Sequence, residues 1–154
     1  MAEQDISQVS RPLNLDTDWT YKVAVLSHLA AKRMNDVVRE VSDLNLSQWR
    51  VLAAVADKPG RTSKDVVSVT PMDKGLVSRA VSALVESGML ERRASANDGR
   101  LSHLHMTHDG DTAYSAIVDA LKTRNQALGD ALSTAQDAEF IATLDKLISA
   151  YKND

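Results

Sequence analysis

Cysteine is absent from the 154 residues, which excludes disulfide frameworks, zinc–thiolate sites and thiol-based oxidation switches. No run approaches the roughly 18 consecutive apolar residues that a membrane span needs. The polar stretch from Met1 to Leu15 is not built like a signal peptide, so a cytoplasmic location is expected. Also lacking are a phosphate-binding glycine loop, a metal-ligand pattern and a plausible nucleophile with its base. These absences argue against an enzyme and imply no cofactor. Repeats and low-complexity tracts are missing too, while 44% of the residues are hydrophobic, so one compact domain is expected.

The net charge of −3 is not that of a uniformly basic nucleic-acid binder, but its distribution is uneven. Between Lys58 and His105 eight cations face five anions, leaving +3 in the middle and −6 on the two ends together. An acidic shell around a basic centre suits a protein that presents one face to a polyanion, although ordinary surface charge can look the same.

Residues 1–15 lack periodicity and contain Pro12, which predicts a flexible arm. Trp19, Val23, Leu26, Ala30, Met34, Val37 and Val41 then recur at steps of three and four, predicting a long helix that ends near Ser42. Tyr21, Val25 and Leu29 widen its apolar face beyond the needs of one packing partner, and a subunit interface is one explanation. Asn45 or Ser47 can cap a second helix that stops at Pro59-Gly60. Thr62 with Asp65, and Thr70 with Asp73 and Pro71 at the first helical position, are capping-box-like starts eight residues apart. Two short helices joined by a tight turn follow, the second ending at Gly88, and this is a helix-turn-helix outline.

Met89 to Ala94, the turn formers from Ser95 to Gly99, and Leu101 to Met106 predict a β-hairpin. Thr107 can cap the next helix, running to about Ser133, and Thr134 with Asp137 opens a last one whose stripe of Phe140, Ile141, Leu144, Leu147, Ile148 and Tyr151 needs a partner. The fold class is therefore mainly α with a small β-hairpin wing.

On the second short helix, Val77, Val81, Leu84 and Val85 define the buried side. Lys74, Ser78 and Ser82 lie on the other side with Asp73 and Arg79 beside them. These are donors of the kind that read base edges, although any solvated helix shows a polar face. Arg92 and Arg93 before the hairpin turn and Arg100 after it project cations suited to a minor groove or to phosphates, with Asp98 able to hold one in place. His103, His105 and His108 invite a metal reading, which the lack of cysteine and of a convincing fourth ligand disfavours.

Leu84-Val85-Glu86-Ser87-Gly88-Met89-Leu90-Glu91-Arg92, then Asp98-Gly99-Arg100, then Met106-Thr107-His108-Asp109-Gly110 together resemble the signature of the MarR family of winged-helix regulators. The departure is Met106 where the family usually has leucine. The resemblance covers nearly the whole chain and implies a homodimer binding double-stranded DNA. It implies dimerisation helices at 16–44 and 108–154 around a winged helix-turn-helix lobe at 45–107. Arg100 would be the wing arginine with Asp98 as its positioning partner, Pro71 to Ser82 would begin the recognition helix, and Ser63 and Lys64 would contact phosphates. Many relatives release DNA when a small aromatic or anionic effector enters a crevice between the lobes. Here His28, Trp49 and Arg50 could serve it, or His28 and Trp49 could pack in the core and Arg50 face solvent. A repressor reading a pseudo-palindromic site is the function expected. A winged-helix protein-interaction module without specific DNA reading is the alternative.

Overall fold

Capping side chains set where the helices of this chain begin. The structure, a computed structural model, describes residues 14–95, 102–129 and 131–153. Helix α1 (Trp19–Val41) starts at Asp18, whose carboxylate accepts from the Tyr21 N–H at 2.8 Å. Helix α2 (Leu46–Asp57) opens on a reciprocal pair, Asn45 and Gln48, and α3 (Ser63–Val69) on another, Thr62 and Asp65. Each pair satisfies two N–H groups that the first helical turn leaves free. Asp73 caps α4 (Lys74–Glu86) by accepting from the Leu76 N–H at 2.7 Å. The Thr107 hydroxyl accepts from the Gly110 N–H at the start of α5 (His108–Gly129), and Ser133 with Gln136 opens α6 (Thr134–Lys152).

Two of these starts differ from the sequence expectation. The second short helix begins at Lys74 under an Asp73 cap, not at Pro71 under Thr70. Thr70 instead turns its hydroxyl back to the Val66 carbonyl at 2.7 Å. The residues freed from the helix let Met72 turn inward, where it is 6% exposed. In the same way α6 is capped by Ser133 rather than Thr134, and α5 stops at Gly129, short of Ser133.

Just past the Ser87 cap of α4 stands Gly88, whose φ of +75° is the left-handed conformation that favours glycine. The reversal lets the Met89 N–H reach the Leu84 carbonyl at 2.9 Å and sends the chain directly into β1 (Leu90–Ala94). That strand pairs antiparallel with β2 (Ser102–Met106), from Leu90 opposite Met106 to Ala94 opposite Ser102. The other edge of β2 is also held: Gly60 N–H donates to the Leu104 carbonyl and Leu104 N–H to the Arg61 carbonyl, both at 2.9 Å.

A single hydrophobic core gathers Val38 from α1, Trp49, Leu52 and Val55 from α2, Val66 from α3, Val77, Val81 and Leu84 from α4, Leu90 and Leu104 from the hairpin, and Ile117 from α5. Trp49 stacks on Tyr114 with ring centroids 5.6 Å apart. Fully burying each of the aliphatic side chains contributes about 1.5–3 kcal/mol. Helix α6 has no buried residue, but α1 and α5 both enter this core and are therefore built into the central lobe rather than appended to it. The far end of α1 is different. From Trp19 to Ala30 every residue of α1 is exposed, and so are Phe140, Ile141, Ile148 and Tyr151 of α6. Among the described residues no helix is long and apolar enough to cross a membrane.

Candidate nucleic-acid interface

Helix α3 and the first half of α4 meet around Val66 and Val77, both fully buried. Between their outward sides lies a hollow of about 410 Å³ lined by Ser63, Lys64, Val67, Lys74, Val77 and Ser78. The fold thus gathers Ser63 and Lys64, from one helix, with Lys74 and Ser78 from the next. Asp73, Lys74, Ser78, Arg79 and Ser82 are all exposed. At about 100° per residue, Arg79 and Ser82 lie near the middle of the outer face of α4, while Lys74 and Ser78 flank it on the α3 side.

Asp73 is committed to its capping role, so its carboxylate organises the first turn. In α3 the cap is Thr62, and Asp65 is committed to it as the partner three residues on. The Thr62 backbone N–H and hydroxyl both donate to Asp65 at 2.8 Å and hold its carboxyl below the ordinary carboxylate range, with Lys58 and Arg61 adding smaller attractions. Each capped first turn is therefore fixed in place, with its serine or lysine side chains turned outward.

The wing arginines have different surroundings. Arg92 is exposed and carries no hydrogen bond or ion pair among the described residues. Arg93 is paired with Glu91, two positions back on the same face of β1, at 2.9 Å. Both members of that pair are well exposed, so it contributes little to stability. Asp98 and Arg100 lie outside the described residues. His103 donates from Nδ1 to the Gly60 carbonyl at 2.7 Å, and the His105 ring lies beside the same glycine. Both histidines therefore brace the turn before α3, whereas His108 begins α5.

A crevice of about 540 Å³ runs between α1 on one side and α2 with the end of α3 and the turn after it on the other. Trp49 and Arg50 line it, with Ala30, Ala31 and Met34 on the α1 side. His28 is not among its lining residues and stands on the exposed stretch of α1. Arg61 is there instead, its side chain 13% exposed and paired at 2.8 Å with Asp57. No periodicity marks Arg61. It reaches the crevice because the turn at Gly60, φ +85°, folds the chain back along α2. Gly75 and Leu76, on the first turn of α4, also stood outside the sequence-derived set. A glycine one position inside a capped helix, where no turn needs it, was the available signal.

Residues 42–101 match the model of the MarR family. A Thauera aromatica protein named as a transcriptional regulatory protein for the hcr operon is 29% identical over 106 residues, covering 69% of this chain. The match spans 62% of that relative's own length, less than two thirds. The regulator PetP of Rhodobacter capsulatus is 25% identical over 113 residues, 73% of this chain and 68% of its own. Two solved structures share the fold. PcaV from Streptomyces coelicolor, in complex with its natural ligand, aligns with a TM-score of 0.75 at 23% identity, over 90% of this chain and 97% of that one. A Listeria monocytogenes protein complexed with 26mer DNA aligns with a TM-score of 0.80 at 19% identity, over 89% of this chain and 91% of that one.

Proposed function

This chain belongs to the MarR family of transcriptional regulators, and on that premise we propose that it represses transcription by binding a pseudo-palindromic double-stranded operator as a homodimer. The observation that carries the reading is the cluster of outward donors around the hollow between α3 and α4, with Arg79 on the same helix carrying no ion pair among the described residues. Helix α4 enters the major groove, Arg79, Lys74, Ser78 and Ser82 meet base edges, and Ser63 and Lys64 bond phosphates. The wing, with Arg92, Arg93 and Arg100, follows the neighbouring minor groove, and Asp98 positions Arg100.

The exposed apolar faces of α1 and α6 support the dimer. Leu29, 57% exposed, and Ile148, 51% exposed, are surfaces that a second copy would cover. Residues 16–44 and 108–154 thus supply the subunit interface, and 45–107 the DNA-reading lobe. The crevice beside Trp49 accepts a small aromatic or anionic effector, with Arg50 and Arg61 as cationic partners and Asp57 as the carboxylate it must compete with. The solved complexes with DNA and with a natural ligand, each of a protein sharing this fold, support these two binding roles.

Fluorescence anisotropy on the DNA upstream of the gene, against scrambled DNA at about 0.15 M salt, tests the proposal, with nanomolar or tighter specific binding expected. Arg79→Ala is expected to relax base preference and Arg100→Ala to weaken binding more uniformly, each by about 1–3 kcal/mol. Equal, weak, salt-sensitive binding to both DNAs would refute specific reading of that DNA.

A further inference from the structure

We infer that Leu76 determines part of the sequence specificity, by packing on the C5-methyl group of a thymine next to the base pair that Arg79 contacts, and that Gly75 is bare so that both side chains reach. This rests on the reading of α4 as the recognition helix. Leu76 is the one large apolar side chain exposed on α4 among the described residues, at 36%, and it belongs neither to the core nor to the partly buried side chains around it. Its N–H is tied to Asp73, so its backbone is fixed in the first turn. In the major groove the thymine methyl is the apolar group on offer, and it distinguishes A·T from the other pairs.

Gly75 supplies the second, independent observation. Its φ is not in the left-handed region, so the helix needs no glycine there, and glycine within a helix is unfavourable relative to alanine. A Cβ at this position would sit 3.4 Å from Arg79 Nη1 and 3.2 Å from the Asp73 carboxylate. The guanidinium therefore lies back over the first turn, at contact distance from where a side chain at 75 would begin, and it has no hydrogen bond or ion pair among the described residues. Three residues separate Leu76 from Arg79, about 4.5 Å along the axis. That is close to one base-pair step of about 3.4 Å, so the two side chains address neighbouring pairs.

The test begins with duplexes selected from a random pool by the full-length protein, and the selected sequences define a consensus. Each consensus thymine is then replaced by deoxyuridine, which removes only the methyl group. For the wild type, one replacement in each half-site is expected to weaken binding about fourfold, as for the burial of one methylene-sized group, and both together roughly fifteenfold. Leu76→Ala should bind the thymine duplex as weakly as the wild type binds the deoxyuridine one, and should be indifferent to the replacement. Gly75→Ala should raise the melting temperature by about 2–4 °C through helix propensity and yet bind the consensus at least several-fold more weakly.

If the selection yields no consensus, sequence-specific reading fails and this inference with it. A consensus whose thymines can all be replaced without loss, or a Leu76→Ala protein that keeps the full deoxyuridine penalty, overturns the inference alone. A Gly75→Ala protein that binds with wild-type affinity overturns the role of the bare backbone.

Discussion

Replacing Gly110 by alanine isolates how the wing is joined to α5. This glycine needs no unusual φ, so its smallness is a matter of space. A Cβ built on it would stand 2.1 Å from the Met89 carbonyl oxygen and 3.0 Å from the Met89 carbonyl carbon. Both are backbone atoms that cannot rotate aside. Relieving the clash means parting the first turn of α5 from the start of the hairpin. Two hydrogen bonds cross that seam: Thr107 N–H to the Met89 carbonyl at 3.2 Å, and the Thr107 hydroxyl to the Gly88 carbonyl at 2.6 Å. Their loss costs about 0.5–1.5 kcal/mol each, and overpacking adds about 1–3 kcal/mol. The better helix propensity of alanine returns about 1 kcal/mol. The net expectation is a destabilisation of about 1–5 kcal/mol, or roughly 2–20 °C in melting temperature for a chain of this size. Urea titrations at a fixed protein concentration measure it, with Gly129→Ala as the control. A Cβ at Gly129 meets nothing within 4 Å and its φ is ordinary, so that variant should show no loss. A Gly110→Ala protein within about 0.5 kcal/mol of its Gly129→Ala counterpart, the usual span of surface substitutions, would refute the steric argument.

Asp65→Ala removes the N3 half of the Thr62–Asp65 capping box of α3 and leaves the Thr62 cap itself in place, so it should cost about 0.5–1 kcal/mol at neutral pH. Since the folded state holds the Asp65 carboxyl below its ordinary range, that stability is complete above about pH 4 and is lost as the pH falls through the lowered value. The difference between wild type and variant in denaturant melts should therefore shrink in acid, and a constant difference would contradict it. Leu29→Glu places a charge on an exposed apolar face remote from the core, so circular dichroism should show unchanged helix content. Sedimentation should show a dimer weakened by about 3–6 kcal/mol, from one leucine burial of about 1.5–3 kcal/mol per subunit. Unchanged self-association would remove that part of α1 from the interface. Arg92→Ala should lower the salt slope of DNA binding by about 1, and Arg93→Ala by less, because Glu91 already neutralises Arg93. The reverse order in salt titrations would contradict the assignment.

Much of this fold could be read along the chain because its signals are local. The caps at Asn45 and Thr62, the glycine after α4, and the apolar spacing of α1, α4 and α6 each depend on residues within a turn or two of one another. The same locality explains how the outward set of Lys74, Ser78, Arg79 and Ser82 followed from knowing which side of α4 is apolar. Where two local signals competed, tertiary packing decided. Thr70 was expected as the cap with Asp73 as its partner, but the helix begins at Lys74 under Asp73 itself, and Met72 gains a buried place before it. Contacts between residues distant in sequence had no local signature. Arg61 reaches the crevice through the turn at Gly60, His103 meets the Gly60 carbonyl once the hairpin has folded back on that turn, and Gly110 meets Met89 where α5 packs on the start of the hairpin. By itself the sequence determined which elements form and which faces they bury, because helix periodicity and capping act over a few residues. Only the tertiary structure decided which side chains share a hollow, which of the described arginines remain unpaired and where a glycine is needed for room, because those depend on distances the chain order does not contain.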